Sequence, residues 1–154
     1  MSARQPYDVD FDAIQAWTGR WRWNPATHTF DDGMATAANG GVWKEQIQTI
    51  EVKGSLLSIR NDQLFIDDSR RTWLYEGAFD GRPYPIRWTD DQSIMNVISF
   101  MLIDKLRGAD AYFPLDSSYG GSEYFILNGD NVKVWGAMTV AGRSTTYYEE
   151  WDRI

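Results

Sequence analysis

Hydrophobic and polar positions alternate with a period of two through most of this chain, in short runs broken by Gly, Asn, Asp and Ser. The first run starts at Gly19, where Trp21 and Trp23 fall on one face and Arg20 and Arg22 on the other; one face asks for a core, the other for water. Further runs cover 42–52, 55–60, 63–66 and 71–79, separated by Lys53-Gly54, Asn61-Asp62 and Asp67-Asp68-Ser69. Asp80-Gly81 and the prolines of Arg82-Pro83-Tyr84-Pro85 form the next break, because proline cannot donate to a central ladder. Segment 93–106 fits either a helix stopped by Gly108 or a buried strand, and we adopt the strand. Runs at 109–115, 123–127, 132–140 and 143–152 follow, joined by Asn128-Gly129-Asp130 and Ala141-Gly142. Ahead of them all, Asp10 or Asp12 can cap one helical turn through Ala13, Ile14 and Ala16.

About nine or ten short strands joined by tight turns predict an all-β fold, an up-and-down antiparallel barrel with a short N-terminal helical turn. A length of 154 residues suits a single domain spanning 1–154. Residues 26–41, rich in Gly, Asp, Thr and Ala, read as a long loop near one mouth, with the single histidine, His28, solvated within it.

Composition narrows the function. The net charge of −7, with Lys and Arg scattered, gives no footprint for nucleic acid or anionic lipid. The longest apolar stretch, 94–103, is interrupted by Asn96 and Ser99 and falls far short of the ~20 residues of a membrane span. The start of the chain has no signal-peptide-like apolar run, so a soluble cytoplasmic protein is expected. With no cysteine and one histidine, thiolate and two-histidine metal sites are excluded. Asp31-Asp32 and Asn128-Gly129-Asp130 lack the spaced oxygens of a calcium loop, and no phosphate-cradling loop occurs, so neither metal nor cofactor is expected. The pairs Asp67-Asp68, Asp90-Asp91 and Glu149-Glu150 would point to opposite faces of an extended chain, which suits surface roles rather than joint acid–base work.

Aromatic residues make up 15% of the chain, including eight Trp, more flat apolar surface than an ordinary core needs. Alternation puts Arg71, Trp73, Tyr75 and Phe79 on one face, and sets Glu123, Phe125 and Leu127 against Tyr124 and Ile126. The candidate ligand contacts are Trp43, Arg71, Trp73, Tyr75, Tyr124, Trp135 and Tyr147. Two readings of these rings stay open: they line a pocket, or they fill a narrow barrel. Arg71 likewise reads either as inward, paired with an anion, or as an exposed strand entrance beside Asp67-Asp68.

Gly19-Arg20-Trp21 resembles the Gly-x-Trp signature on the first strand of lipocalins and other calycins, whose Trp packs across the closed end of the barrel beneath an Arg; Arg153 is the candidate partner here. The stretch from Trp21 to Phe30, with Tyr75 to Ile86, is similar to the bacterial lipocalin-like domain proteins, which start Trp-x-x-Asn-x-x-x-Ser-x-Phe and carry a central Asp-Gly-x-x-Tyr-Pro. His28 stands where that pattern has Ser, and Asn128-Gly129-Asp130 replaces a late Asp-Gly-Lys hairpin. The resemblance implies a barrel with a hydrophobic-ligand cavity and no particular reaction. The expected function is binding of a small hydrophobic, aromatic molecule. The alternative is a cofactor-independent isomerase, cyclase or lyase in which a Tyr, a Glu or His28 moves a proton.

Overall fold

The structure, a computed structural model, describes residues 14–30, 43–53, 56–78, 81–113, 119–140 and 142–154. Ten strands follow in order: β1 (Gly19–Phe30), β2 (Trp43–Lys53), β3 (Leu56–Phe65), β4 (Arg70–Gly77), β5 (Tyr84–Trp88), β6 (Ile94–Leu102), β7 (Arg107–Phe113), β8 (Tyr119–Asn128), β9 (Asn131–Val140) and β10 (Arg143–Arg153). Each pairs antiparallel with its sequence neighbours, and β10 returns to β1 to close the barrel. Closure leaves no free sheet edge. No helix among the described residues is long and apolar enough to cross a membrane.

One end of the barrel is sealed. Ile14 and Gln15 form the described part of the helical turn, with the Trp17 and Thr18 amides donating to Ile14 O and Gln15 O at 2.9 and 3.3 Å; Asp10, Asp12 and Ala13 lie outside the described residues. Trp17 and Trp21 pack beneath this turn with Trp23 and Trp151. The Arg153 guanidinium lies 4.1 Å from the Trp21 ring centre and donates to Thr18 O (2.6 Å) and Ala16 O (2.9 Å). Gly19, at φ +126°, leaves the space into which Arg153 Nη1 reaches.

Three local readings are corrected. Residues 26–30 continue β1 instead of opening a loop: pairing with β10 breaks after Asn24–Glu150 and resumes at Thr29–Tyr148, so the Pro25 region is a bulge within the strand. The rest of that loop, 31–41, lies outside the described residues. Asn61-Asp62 does not turn the chain, because Asn61 faces inward to donate to Gln46 while Asp62 faces outward and accepts from Arg60 and Thr72; one strand runs through both. Tyr84-Pro85 belongs to a strand after all. Pro85 pairs with Val97 of β6, and β4 meets β5 only from Ile86 on, so its missing N–H breaks no central ladder.

Candidate functional site

The inward faces of the strands enclose a cavity of about 660 Å³. Its lower wall is apolar: Trp17, Trp21, Trp151, Phe125, Val132 and Val134 line it above the sealed end. Ile59, Ile86, Ile98 and Phe100 continue that surface up one side.

The cavity stays open because rings lie flat against its wall rather than across its axis. Gly136 is the direct cross-strand partner of Tyr147, Gly108 of Phe125, and Gly121 of Tyr112. In each pair the ring occupies the space a β-carbon of the glycine would need. A large inward side chain beside a residue with none can fold down over its neighbour. This settles the geometric choice between a pocket and a filled barrel in favour of the pocket.

Three polar groups interrupt the apolar lining. On β2 and β3, Gln46 Oε1 accepts from Asn61 Nδ2 (3.1 Å) and Gln63 Nε2 (3.0 Å), and all three side chains are buried. On β10, Glu149 gathers three donors at 3.0 Å: Trp23 Nε1 and His28 Nδ1 on Oε2, and Trp151 Nε1 on Oε1. Between them, Asp110 of β7 faces Glu123 of β8 directly across the ladder, their carboxyls hydrogen bonded, and the Tyr147 hydroxyl donates to Glu123. Burial, and then the charge of Glu123, pushes the Asp110 carboxyl well above the ordinary carboxylate range. Burial, and then the charge of Glu149, pushes Glu123 up. Burial, followed by the Glu123 charge, pushes the Tyr147 phenol up. The pair therefore keeps a proton to higher pH than two exposed carboxylates would.

At the end opposite the seal, Trp43, Phe65, Arg71 and Trp88, from the ends of β2 to β5, form the rim of the cavity. Arg71 is partly exposed there. It donates to Asp90 Oδ2 at 2.9 Å and Asp91 Oδ2 at 3.2 Å, and its guanidinium stacks 3.9 Å from the Trp88 ring centre. It thus lines the cavity and is ion-paired at a strand entrance, with Asp90 and Asp91 in place of Asp67-Asp68.

Of the residues singled out from sequence, Trp43, Arg71, Trp73 and Tyr147 line the cavity. Tyr75 is inward but sits in the core beside it, edge-on to Phe100 at 5.0 Å and to Tyr84 at 6.3 Å. Tyr124 and Trp135 are corrections. They stand on the outer face, where Trp135 is 42% exposed and packs on Tyr124 (6.1 Å) and Tyr148 (5.3 Å). Since Glu123 and Phe125 face in on β8 and Val134 faces in on β9, alternation forces these two rings outward. His28 is a third correction: its side chain is 10% exposed and turned into the cavity, because β1 continues past the bulge. Asp110 and the amides were not singled out from sequence, Glu123 was placed on a strand face without a role, and the surface role read for Glu149 beside Glu150 is corrected, because Glu149 is buried in the cavity wall. One signal was present, since Glu149 shares a strand face with Tyr147.

No protein-family model matches the sequence, nor does any curated protein. Among solved structures, the barrel is similar to a fatty acid binding protein of Schistosoma mansoni in complex with arachidonic acid (TM-score 0.61, 12% identity, 92% of this chain and 98% of that one). It is also similar to fatty-acid-binding protein 1 of Echinococcus granulosus (TM-score 0.54, 9% identity, 91% and 98%) and to a zebrafish ileal bile acid-binding protein complexed with cholic acid (TM-score 0.50, 12% identity, 90% and 99%). At these identities the likeness is one of fold: a closed ten-stranded antiparallel barrel of the calycin-like kind that fatty-acid-binding proteins adopt.

Proposed function

We propose that this chain binds a small hydrophobic molecule carrying an aromatic ring inside the barrel, as a lipocalin-like single-domain protein of the cytoplasm. The observation that carries the reading is the 660 Å³ cavity, held open by the glycine–ring pairs and faced by indoles from Trp17 to Trp88. Indole walls stack on flat ligands and bury apolar tails, while a few placed polar groups orient the ligand. Arachidonic and cholic acids, bound by the proteins of similar fold, support a hydrophobic cargo of this size.

The test is a titration with N-phenyl-1-naphthylamine, a neutral aromatic reporter, following its emission and the quenching of tryptophan, with thermal shift alongside. Saturable one-to-one binding with a raised melting temperature is expected, since a ligand specific for the folded state stabilises it by mass action. Trp73→Ala removes a lining ring and is expected to weaken binding about tenfold or more, the loss of roughly 1.5–3 kcal/mol of apolar contact. No saturation with the reporter or with any of a panel of hydrophobic aromatics would overturn the reading. A bound ligand recovered chemically changed would move the function to the isomerase, cyclase or lyase alternative.

A further inference from the structure

We propose that the cavity selects amines: a hydrophobic molecule whose ammonium group docks at Asp110 and Glu123, in preference to a carboxylic acid with the same tail. The inference rests on the binding reading above and specifies the polar end of its ligand.

The charge inside the barrel is one-sided. Among the lining residues the carboxyls are Asp110, Glu123 and Glu149, all on one wall built by β7, β8 and β10. The lining guanidinium, Arg71, is at the rim and already held by Asp90 and Asp91. His28 is engaged with Glu149. Among the described residues, an anionic headgroup drawn into the cavity would meet carboxyls and no cation available to neutralise it, and an uncompensated buried charge is costly.

Within that wall, one acceptor is left over. Asp110 is 7% exposed and lines the cavity, and its Oδ1 has no hydrogen-bond partner among the described residues. Glu149 is different: its three donors already occupy both oxygens. A buried acceptor with nothing to accept from loses its hydration without return, and a ligand N–H supplies the missing donor. An ammonium adds charge to that bond, which shortens and strengthens it.

The proton held by the pair gives the docking a pH signature. A cation displaces that proton, so its binding tightens as pH rises and the carboxyls give theirs up more readily. The groups facing the pair are Tyr112 on β7, Tyr147 and Glu149 on β10 and His28 on β1. The β6 sequence contains nothing titratable, and Lys133 of β9 alternates with the inward Val132 and Val134 to the outer face.

The experiment displaces N-phenyl-1-naphthylamine from the full chain with 6-phenylhexylamine, 6-phenylhexan-1-ol and 6-phenylhexanoic acid. At pH 8 the amine is expected to displace the reporter at a concentration at least tenfold below that of the acid, and below that of the alcohol. The amine's advantage over the alcohol, which does not titrate, is expected to grow between pH 5 and pH 8. Asp110→Asn with Glu123→Gln is expected to abolish that advantage while the reporter still binds. An acid or alcohol that competes as well as the amine overturns the inference while leaving the binding reading intact, whereas failure of the reporter to bind defeats the earlier reading instead. Should the double variant not fold, the pH series on the natural chain decides alone: an amine-to-alcohol ratio that stays flat from pH 5 to pH 8 overturns the proposal.

Discussion

Individual side chains inside this barrel answer to two different constraints, and Glu149 and Asp110 exemplify them. Glu149 satisfies two indole N–H groups and a histidine, drawing β1 and β10 together beyond the bulge where their backbone pairing lapses. Glu149→Leu leaves those donors buried and unpaired, and each such loss costs about 1–3 kcal/mol. Urea denaturation is therefore expected to show destabilisation of about 3 kcal/mol or more, with Glu149→Gln milder because one carbonyl oxygen remains. Asp110 works the other way. Its folded pKa is raised, so its contribution is fully favourable only below the ordinary carboxylate pKa and is lost as pH climbs toward the folded value. Asp110→Asn cannot ionise and keeps an N–H for Glu123. Its melting temperature is expected to match the natural chain near pH 4 and to exceed it at pH 8, by roughly 2–4 °C for each kcal/mol of charge burial relieved. Neither residue announced itself in the sequence as a site. Glu149 reads as half of an acidic pair, and Asp110 as a polar residue between alanines, because a buried carboxyl is visible only once the inward face of its strand is known.

Among the strands, what alternation and turn residues specify was legible, and what cross-strand partners specify was not. The Asn128-Gly129 turn and the long β9–β10 ladder lie where the sequence places them, with Gly129 at φ +61°. Asn61-Asp62 carries the same turn chemistry, yet Gln46 across the ladder offers Asn61 a buried acceptor and the strand continues. The inward faces of β8 and β9 posed a similar difficulty. Trp135 carries far more apolar surface than Gly136, but Gly136 faces in because Tyr147, directly opposite, needs its space. Gly136→Ala tests this. The added methyl overlaps the Tyr147 ring, so the ring must move and give up its bond to Glu123. The expected cost is about 1–3 kcal/mol, as for other overpacked cores, with weaker reporter binding as the ring swings toward the cavity axis. Unchanged stability and unchanged binding would mean that the pairing does not hold the wall in place.

At the scale of the whole barrel, the two ends divide stability from exchange with solvent. The sealed end is tied by Arg153, which joins its own strand to two other pieces of chain: it lies over Trp21 and donates to Ala16 O and Thr18 O, and it pairs with Asp130 at 2.9 Å. Bonds from a cation to backbone carbonyls, with a cation–π contact added, make Arg153→Met destabilising by about 2 kcal/mol. The rim is built differently. Trp88 stacks on an ion-paired Arg71 at the end of the shortest strand, outside both buried clusters, so little of the fold depends on it. Among the described residues, Trp43, Phe65, Arg71 and Trp88 border ligand exchange through that end. Trp88→Ala is therefore expected to leave the urea midpoint within the small range of surface substitutions while speeding association and dissociation of the reporter in stopped flow. Arg153→Met should do the reverse, lowering the midpoint and leaving both rates alone while the protein is folded. If Trp88→Ala left the rates unchanged and Arg153→Met altered them, the ligand would be passing through the tryptophan-sealed end, and the assignment of mouth and floor would have to be exchanged.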